Sequence, residues 1–204
     1  MANSRLRLHL ATGNPHKVAE FQLLAERTGI DLEFVRAEPM PPVLEDTGTF
    51  EGNARKKALA LKALLPPTAL VLADDSGLCV DALGGAPGVE SAYFAGPAGD
   101  SAANLAKLVA DLRAIPPGQR GAHFVCVLVL IGATDAESGV FFGRCEGSLR
   151  LEPAGGAGFG YDPLFIPADR HETYAELGDD IKNTLSHRAL AFQQLARRLK
   201  LVDR

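Results

Sequence analysis

The sequence predicts an α/β fold, a mixed twisted sheet flanked by helices, and two observations carry that expectation. Five β-type apolar runs are spread along the chain, and segments with apolar residues recurring every three and four positions separate the early runs but not the last two. A pure strand-helix-strand repeat would keep alternating, so the sheet is mixed. At 204 residues the chain fits one domain, 1–204, with material for two lobes and a sizeable core.

The first strand is predicted over 5–11 (RLRLHLA) and the first helix over 15–29 (PHKVAEFQLLAERTG). Further strands follow at 31–37, 69–74, 123–133 and 139–147, and helices at 52–65, 100–115 and 186–200. Thr173 and Glu176 form the pattern of a capping box opening a helical turn. The segment before Gly139, TDAES, is a hairpin turn, and the breaker-rich stretches PMPPVLEDTG, GGAPGVESAYFAGPAGD and EPAGGAGFGYDP are long loops of the kind that carry function.

Composition narrows the function classes. With 47% hydrophobic and 23% charged residues, no charge-free run reaches the roughly 18 residues of a membrane span, so a soluble protein is expected. Arg5, Arg7 and His9 interrupt the N-terminal apolar residues, which excludes a secretory signal there and makes the cytoplasm the default location. A net charge of -4 argues against a nucleic-acid polymer as partner and leaves a small anion open. Cys79, Cys126 and Cys145 are too few and too widely spaced for a disulfide framework or a zinc site.

Five motifs carry candidate chemistry. In ATGNPHK, Gly13 permits a sharp turn, Asn14 and Pro15 open a helix, and Lys17 lies in its first turn, so backbone N–H groups and an ammonium are offered together to a phosphate. The Walker A spacing is absent, and the same residues also describe an ordinary strand-to-helix turn. In ADDSGL, Asp74 and Asp75 fall at the carboxyl end of the third strand, where α/β sheets bind ligands. Alternation points one carboxylate toward the ligand and the other away, and a hard cation such as magnesium needs only one or two carboxylates beside phosphate oxygens and water. The competing reading is a turn capped by its own Asp.

In LEDTGTFEGNARKKA, Glu45 and Asp46 are a second source of metal oxygens, and Asn53 and Lys57, four apart, share a helix face. Taken alone, the segment is equally an acidic helix start with solvated lysines. In GGAGFGYDP the glycines do not match a dinucleotide fingerprint; Phe159 or Tyr161 can stack on a base, and Asp162 can accept from a base edge or a sugar hydroxyl. In DDIKNTLSHRALAF, Lys182, Ser186, His187 and Arg188 gather donors able to read a keto oxygen, or to remain surface charge. A Ser-His-Asp triad on His187 lacks a nucleophile elbow.

The ordered set TGNPHK, EDTGTFEGNARKKA, ADDSGLCVDALGGAPGVESA, FGYDP and SHR resembles the Ham1-like inosine triphosphate pyrophosphatase family, from about residue 8 to residue 195. The resemblance implies magnesium-dependent hydrolysis of a non-canonical purine nucleoside triphosphate to the monophosphate and pyrophosphate, in a homodimer whose protomer has two lobes with a substrate cleft between them. It also implies roles. Thr12, Gly13, Asn14, Pro15, His16 and Lys17 would hold phosphates; Asp75 would be proton acceptor and magnesium ligand, and Glu45 the other metal carboxylate. Ser76, Asn53 and Lys57 would complete the phosphate end, and Phe159, Gly160, Tyr161 and Asp162, with Lys182, His187 and Arg188, the base pocket. Two departures stand out: Tyr93 occupies a position where the family commonly has Arg, and the EDTGTF loop is one residue short, which leaves Glu45 and Asp46 as alternatives. A pyrophosphatase of other modified nucleotides and a nucleotide-binding protein without turnover are the competing readings.

Overall fold

Alternating leucines in LRLHL make Leu6–Leu10 a strand (β1), and Leu8 and Leu10 are buried from solvent. The computed structural model describes residues 5–202. The chain then turns at Gly13 into helix α1 (Pro15–Thr28), whose start is set by chemistry legible in the sequence: Asn14 Oδ1 accepts the His16 N–H at 2.9 Å, and Pro15 needs no N–H partner in the first turn. Gly29, at φ 65°, ends the helix in the left-handed conformation.

Strand β2 (Leu32–Arg36), helix α2 (Phe50–Lys62) and strand β3 (Leu70–Val80) follow. Helix α3 (Ser101–Leu112) starts on the Asp100 carboxylate and leads to β4 (Gly121–Ile131) and β5 (Gly139–Leu149). A short β6 (Phe165–Pro167), helix α4 (Tyr174–Leu185) and helix α5 (His187–Val202) complete the chain. The sheet order is β2-β1-β3-β4-β5-β6; β1 runs parallel to both β2 and β3, and β5 runs antiparallel to β6. The mixed sheet is therefore present as expected. β4 sits inside the order with nearly every residue buried, matching its unbroken apolar run.

Three features differ from expectation. β3 does not stop at Asp74 but continues to Val80, because Leu78 and Val80 resume the alternation and are fully buried. The capping box at Thr173 and Glu176 opens a 12-residue helix and not a single turn; Gly178, at φ 75°, breaks it internally. Strand β6, only 3 residues long, had no periodic signal to reveal it.

The chain packs as two compact units, each drawn from separated segments: the described residues of Met1–Asp75, Cys126–Gly143 and Ala189–Arg204 in one, Ser76–Val125 and Arg144–Arg188 in the other. The first unit's core gathers Leu8, Leu10, Phe21, Leu72, Leu128, Leu130 and Phe192. The second unit's core gathers Leu78, Val80, Leu108, Leu112, Phe124, Phe165 and Tyr174, with Phe165 edge-on to Phe124 at 4.8 Å between ring centroids. Among the described residues no helix is long and apolar enough to cross a membrane.

Phe192 is fully buried, with its ring 6.0 Å from Phe21 and 6.4 Å from Phe34. Phe192→Ala is expected to cost about 3–5 kcal/mol, lowering the thermal midpoint by roughly 6–20 °C; unfolding followed by circular dichroism checks it, and an unchanged midpoint would remove Phe192 from the core.

Candidate active site

The first unit's polar cluster exists because β3 outruns its parallel neighbour. β1 stays in register with β3 only as far as the pair Leu10 and Leu72. Asp74 and Asp75 lie just beyond it, in mid-strand for β3 yet past the end of β1, which corrects their expected place at the strand's own terminus. Alternation then sends the two carboxylates to different partners.

Asp74, 1% exposed in its side chain, pairs through Oδ2 with Lys17 Nζ at 2.8 Å. The capped start of α1 thus delivers Lys17 to the strand carrying the acids. Thr12 Oγ1 accepts the Asn14 N–H at 3.2 Å, so Thr12, Gly13, Asn14 and Pro15 form an ordered turn leading into that helix. His16 is exposed on its first turn.

Asp75 faces α2. Its Oδ1 is 3.0 Å from Lys57 Nζ, and the same ammonium is 2.6 Å from Glu45 Oε2. Two carboxylates from distant segments therefore share one cation. Asp46 points elsewhere, to Lys56 at 2.5 Å on the surface, so of the two alternative acids it is Glu45 that joins Asp75. Asn53, fully buried on the same helix face as Lys57, donates from Nδ2 to Asp75 Oδ2 at 3.3 Å.

Electrostatics follow from burial and from this sharing. Burial pushes the Asp75 carboxyl up; Lys57 opposes it, the nearby Glu45 carboxylate adds to it, and the outcome is about 6 against an ordinary 3.8. Burial works against the Lys57 ammonium, but Asp75, Asp74 and Glu45 outweigh it and hold it above the usual lysine value. Three carboxylates (Glu45, Asp74, Asp75) face two ammoniums (Lys17, Lys57), which leaves one negative charge when all are ionised. That surplus, on hard oxygen donors, fits a divalent cation such as Mg2+, which takes one or two carboxylates and completes its shell with water and phosphate oxygens. Among the described residues no three His, Cys, Asp or Glu side chains form a cage of their own.

The second unit holds the other predicted residues. Lys182, 2% exposed, pairs through Nζ with Asp162 Oδ2 at 2.7 Å and lies 4.7 Å from the centroid of the Phe159 ring. Asp162 Oδ2 also accepts the Phe159 N–H at 2.8 Å, so this carboxylate shapes its own loop. Gly158 makes that possible: its φ is +75°, and a Cβ there would lie 2.2 Å from Asp162 Oδ2. Gly160 also has positive φ, at 64°. Tyr161 belongs to the second core, its hydroxyl donating to the Ser91 carbonyl at 2.9 Å, which leaves Phe159 as the loop's partly exposed aromatic.

His187 stacks on Phe124 at 4.7 Å with planes 10° apart, and the Arg188 guanidinium donates to Ser76 Oγ at 3.3 Å. His187 and Arg188 are both buried, 4% and 3% exposed, so they are not the solvated charges that the sequence also allowed. Tyr93, at the position where an Arg was expected, is half exposed, with its ring against Gly99.

Sequence reasoning missed three contributors: Thr47, which contacts Asn53; Phe124, the platform under His187; and Ser91, whose hydroxyl accepts the Leu78 N–H at 2.9 Å. Phe124 and Ser91 carry no local signal. The TGT turn before α2 was the one available hint of Thr47.

Comparison with known proteins bears on this arrangement. The model of the Ham1 family matches residues 8–198. The chain is 54% identical over 198 residues to a dITP/XTP pyrophosphatase of Opitutus terrae, covering 94% of this chain and 97% of that protein. It is 43% identical over 192 residues to a dITP/XTP pyrophosphatase of Bacillus subtilis, covering 94% and 96%. Among solved structures, a HAM1 protein from Coxiella burnetii superposes with a TM-score of 0.82 at 36% identity, covering 96% of this chain and 98% of that one.

The raised Asp75 value has a stability consequence. Between its ordinary 3.8 and about 6 the folded chain keeps a proton that the unfolded chain releases, so this group's contribution to stability falls as pH rises through that window and levels off above it. Asp75→Asn carries no such charge. Relative to the parent it is expected to gain about 1–3 kcal/mol between pH 4 and pH 8. Urea unfolding at the two pH values measures this; a difference between variant and parent that stays constant from pH 4 to pH 8 would contradict it.

Proposed function

Because the chain belongs to the Ham1 family, we propose that it hydrolyses the non-canonical purine nucleoside triphosphates ITP, dITP and XTP to the monophosphate and pyrophosphate, cleansing the nucleotide pool. The observation that carries the chemistry is the ammonium of Lys57 held jointly by Glu45 and Asp75, beside the Lys17–Asp74 pair.

Water replaces pyrophosphate on the nucleotide's α-phosphorus. The task of the protein is to hold a polyanion, orient the water and take its proton. Lys17 and Lys57 bind phosphate oxygens from positions already fixed by carboxylates, so little reorganisation is needed when the substrate arrives. The turn from Thr12 to His16 adds backbone N–H groups at the start of α1. Asp75 orients the attacking water and accepts its proton; a value of about 6 makes it a stronger base than an ordinary aspartate while leaving most of it ionised at neutral pH. Glu45 and Asp75 would hold Mg2+, which when bound supplies Lewis-acid polarisation of phosphate oxygens and of water.

Base choice falls to the second unit. Lys182, His187 and Arg188 are buried donors suited to a 6-keto oxygen, and adenine presents an amino group at that position. A buried donor facing a donor loses its hydrogen bond, so ATP is rejected. Phe159, and not the core-packed Tyr161, is the aromatic that stacks on the base. The same reading assembles the enzyme as a homodimer in the cytoplasm.

Pyrophosphate release from ITP, dITP, XTP, ATP, CTP and UTP, each with Mg2+ and with chelator, tests the assignment. Metal-dependent release from the first three at rates at least about a hundredfold above the others is expected. Release from none would leave a nucleotide-binding protein. Asp75→Asn is expected to lose about 10³-fold or more in kcat. Lys182→Met is expected to lower kcat/KM for ITP by about a hundredfold while barely changing that for ATP; equal losses on both would remove Lys182 from base recognition.

A further inference from the structure

We propose that Asn53 is a positioning residue: through Thr47 it ties the loop bearing Glu45 to the Asp75 carboxylate, and it does not touch the nucleotide. The inference rests on the reading above that Glu45 and Asp75 act on the triphosphate, and it gives Asn53 a role different from the phosphate contact that the family resemblance implied.

Asn53 is 0% exposed and its amide is committed on both sides. Oδ1 accepts the Thr47 backbone N–H at 3.2 Å and the Thr47 hydroxyl at 2.8 Å. A backbone N–H can only donate, so the amide atom facing Thr47 must be the oxygen, and the amino group is thereby turned toward Asp75 Oδ2 at 3.3 Å. The orientation of the amide is thus dictated by the loop, and its donor is delivered to the carboxylate.

The loop is built to reach this amide. Thr47 lies two residues beyond Glu45, and Gly48, at φ +69°, turns the chain into the Thr49 cap of α2. Gly52, in the first turn of α2, is where Thr47 settles: a Cβ there would lie 2.3 Å from Thr47 Oγ1 and 2.7 Å from Thr47 Cβ. Asn53 and Lys57 are one turn apart on α2, so one helix face grips Asp75 by its two oxygens while each of the two residues also holds the 45–47 segment, Lys57 by Glu45 and Asn53 by Thr47. Five side chains (Glu45, Thr47, Asn53, Lys57 and Asp75) and one backbone N–H therefore form a closed loop of contacts, in which loosening Thr47 frees the two carboxylates to drift apart.

Thr47→Val keeps the branched shape and removes the hydroxyl; Thr47→Ser keeps the hydroxyl; Gly52→Ala crowds Thr47 hardest and also presses on the Thr49 hydroxyl that caps α2, leaving the polar groups of Thr47 and Asn53 themselves in place. With ITP and Mg2+, Thr47→Val and Gly52→Ala are each expected to lower kcat about tenfold or more with KM within about threefold, and Thr47→Ser to stay within about threefold of the parent. Unchanged kcat in both impaired variants, a loss confined to KM, or equal loss in Thr47→Val and Thr47→Ser would overturn the proposal. A thermal cycle reads the same link without turnover. The midpoint shifts of Thr47→Val and Asp75→Asn are expected to depart from additivity by about 2 °C or more, because Asn53 joins the two side chains. Additive shifts would overturn the link, whereas a parent enzyme that releases no pyrophosphate from ITP would sink the proposed activity and leave this cycle to decide the role of Asn53.

Discussion

One ammonium held by two carboxylates is the constraint on which the first unit's polar cluster depends. Lys57 satisfies Glu45 at 2.6 Å and Asp75 at 3.0 Å at once, with Asp75 largely shielded from water and Glu45 partly open to it. Burying a charge is costly unless it is paired, and a buried carboxylate that shares its single cation with a second acid keeps part of that cost. The Asp75 carboxyl registers it as a value raised to about 6. A protein selected for stability alone has no reason to keep this arrangement, and groups held at such a cost are often retained for function.

The backbone makes the sharing possible by unequal strand lengths. β3 continues to Val80 while its parallel neighbour β1 ends at Leu10, so two acids in mid-strand are uncovered on the side where β1 has already turned toward α1. Alternation assigns Asp74 to Lys17 and Asp75 to Lys57. The side chains are long and flexible, but their anchors are not: α1 is fixed at its start by Asn14 and α2 by Thr49. Helix caps, ordinarily a matter of stability, here set where the ammoniums stand.

In the second unit the same economy appears with different chemistry. Asp162 restrains its own loop and neutralises Lys182, and it can do so because Gly158 lacks a side chain. Phe124 holds His187 flat by stacking, and the hydrophobic core thereby extends up to the polar groups and limits their rotamers. In each unit the polar side chains are held by buried contacts, Asp75 by Asn53 and Lys57, Lys182 by Asp162.

Much of this was legible in the residues themselves. Apolar periodicity gave the mixed α/β class and the long helices, because burial of one face imposes a period of 2 or 3.6. Asn14 and Pro15 announced the start of α1, since capping is local chemistry. The five ordered motifs pointed to the family before any fold was known. Other features needed three dimensions. Nothing local separates Glu45 from Asp46; which of the two meets Lys57 depends on the path of the loop over α2. Tyr161 and Phe159 are equivalent aromatics in a glycine-rich string until the core takes one and leaves the other. The length of β3 followed from burial of Leu78 and Val80 beyond two charged residues that looked like a terminus. The sequence by itself determined which residue types and local conformations were on offer, because propensity and capping act over a few residues; tertiary structure alone decided which acid shares which cation, because charge pairing acts through space between segments far apart in the chain.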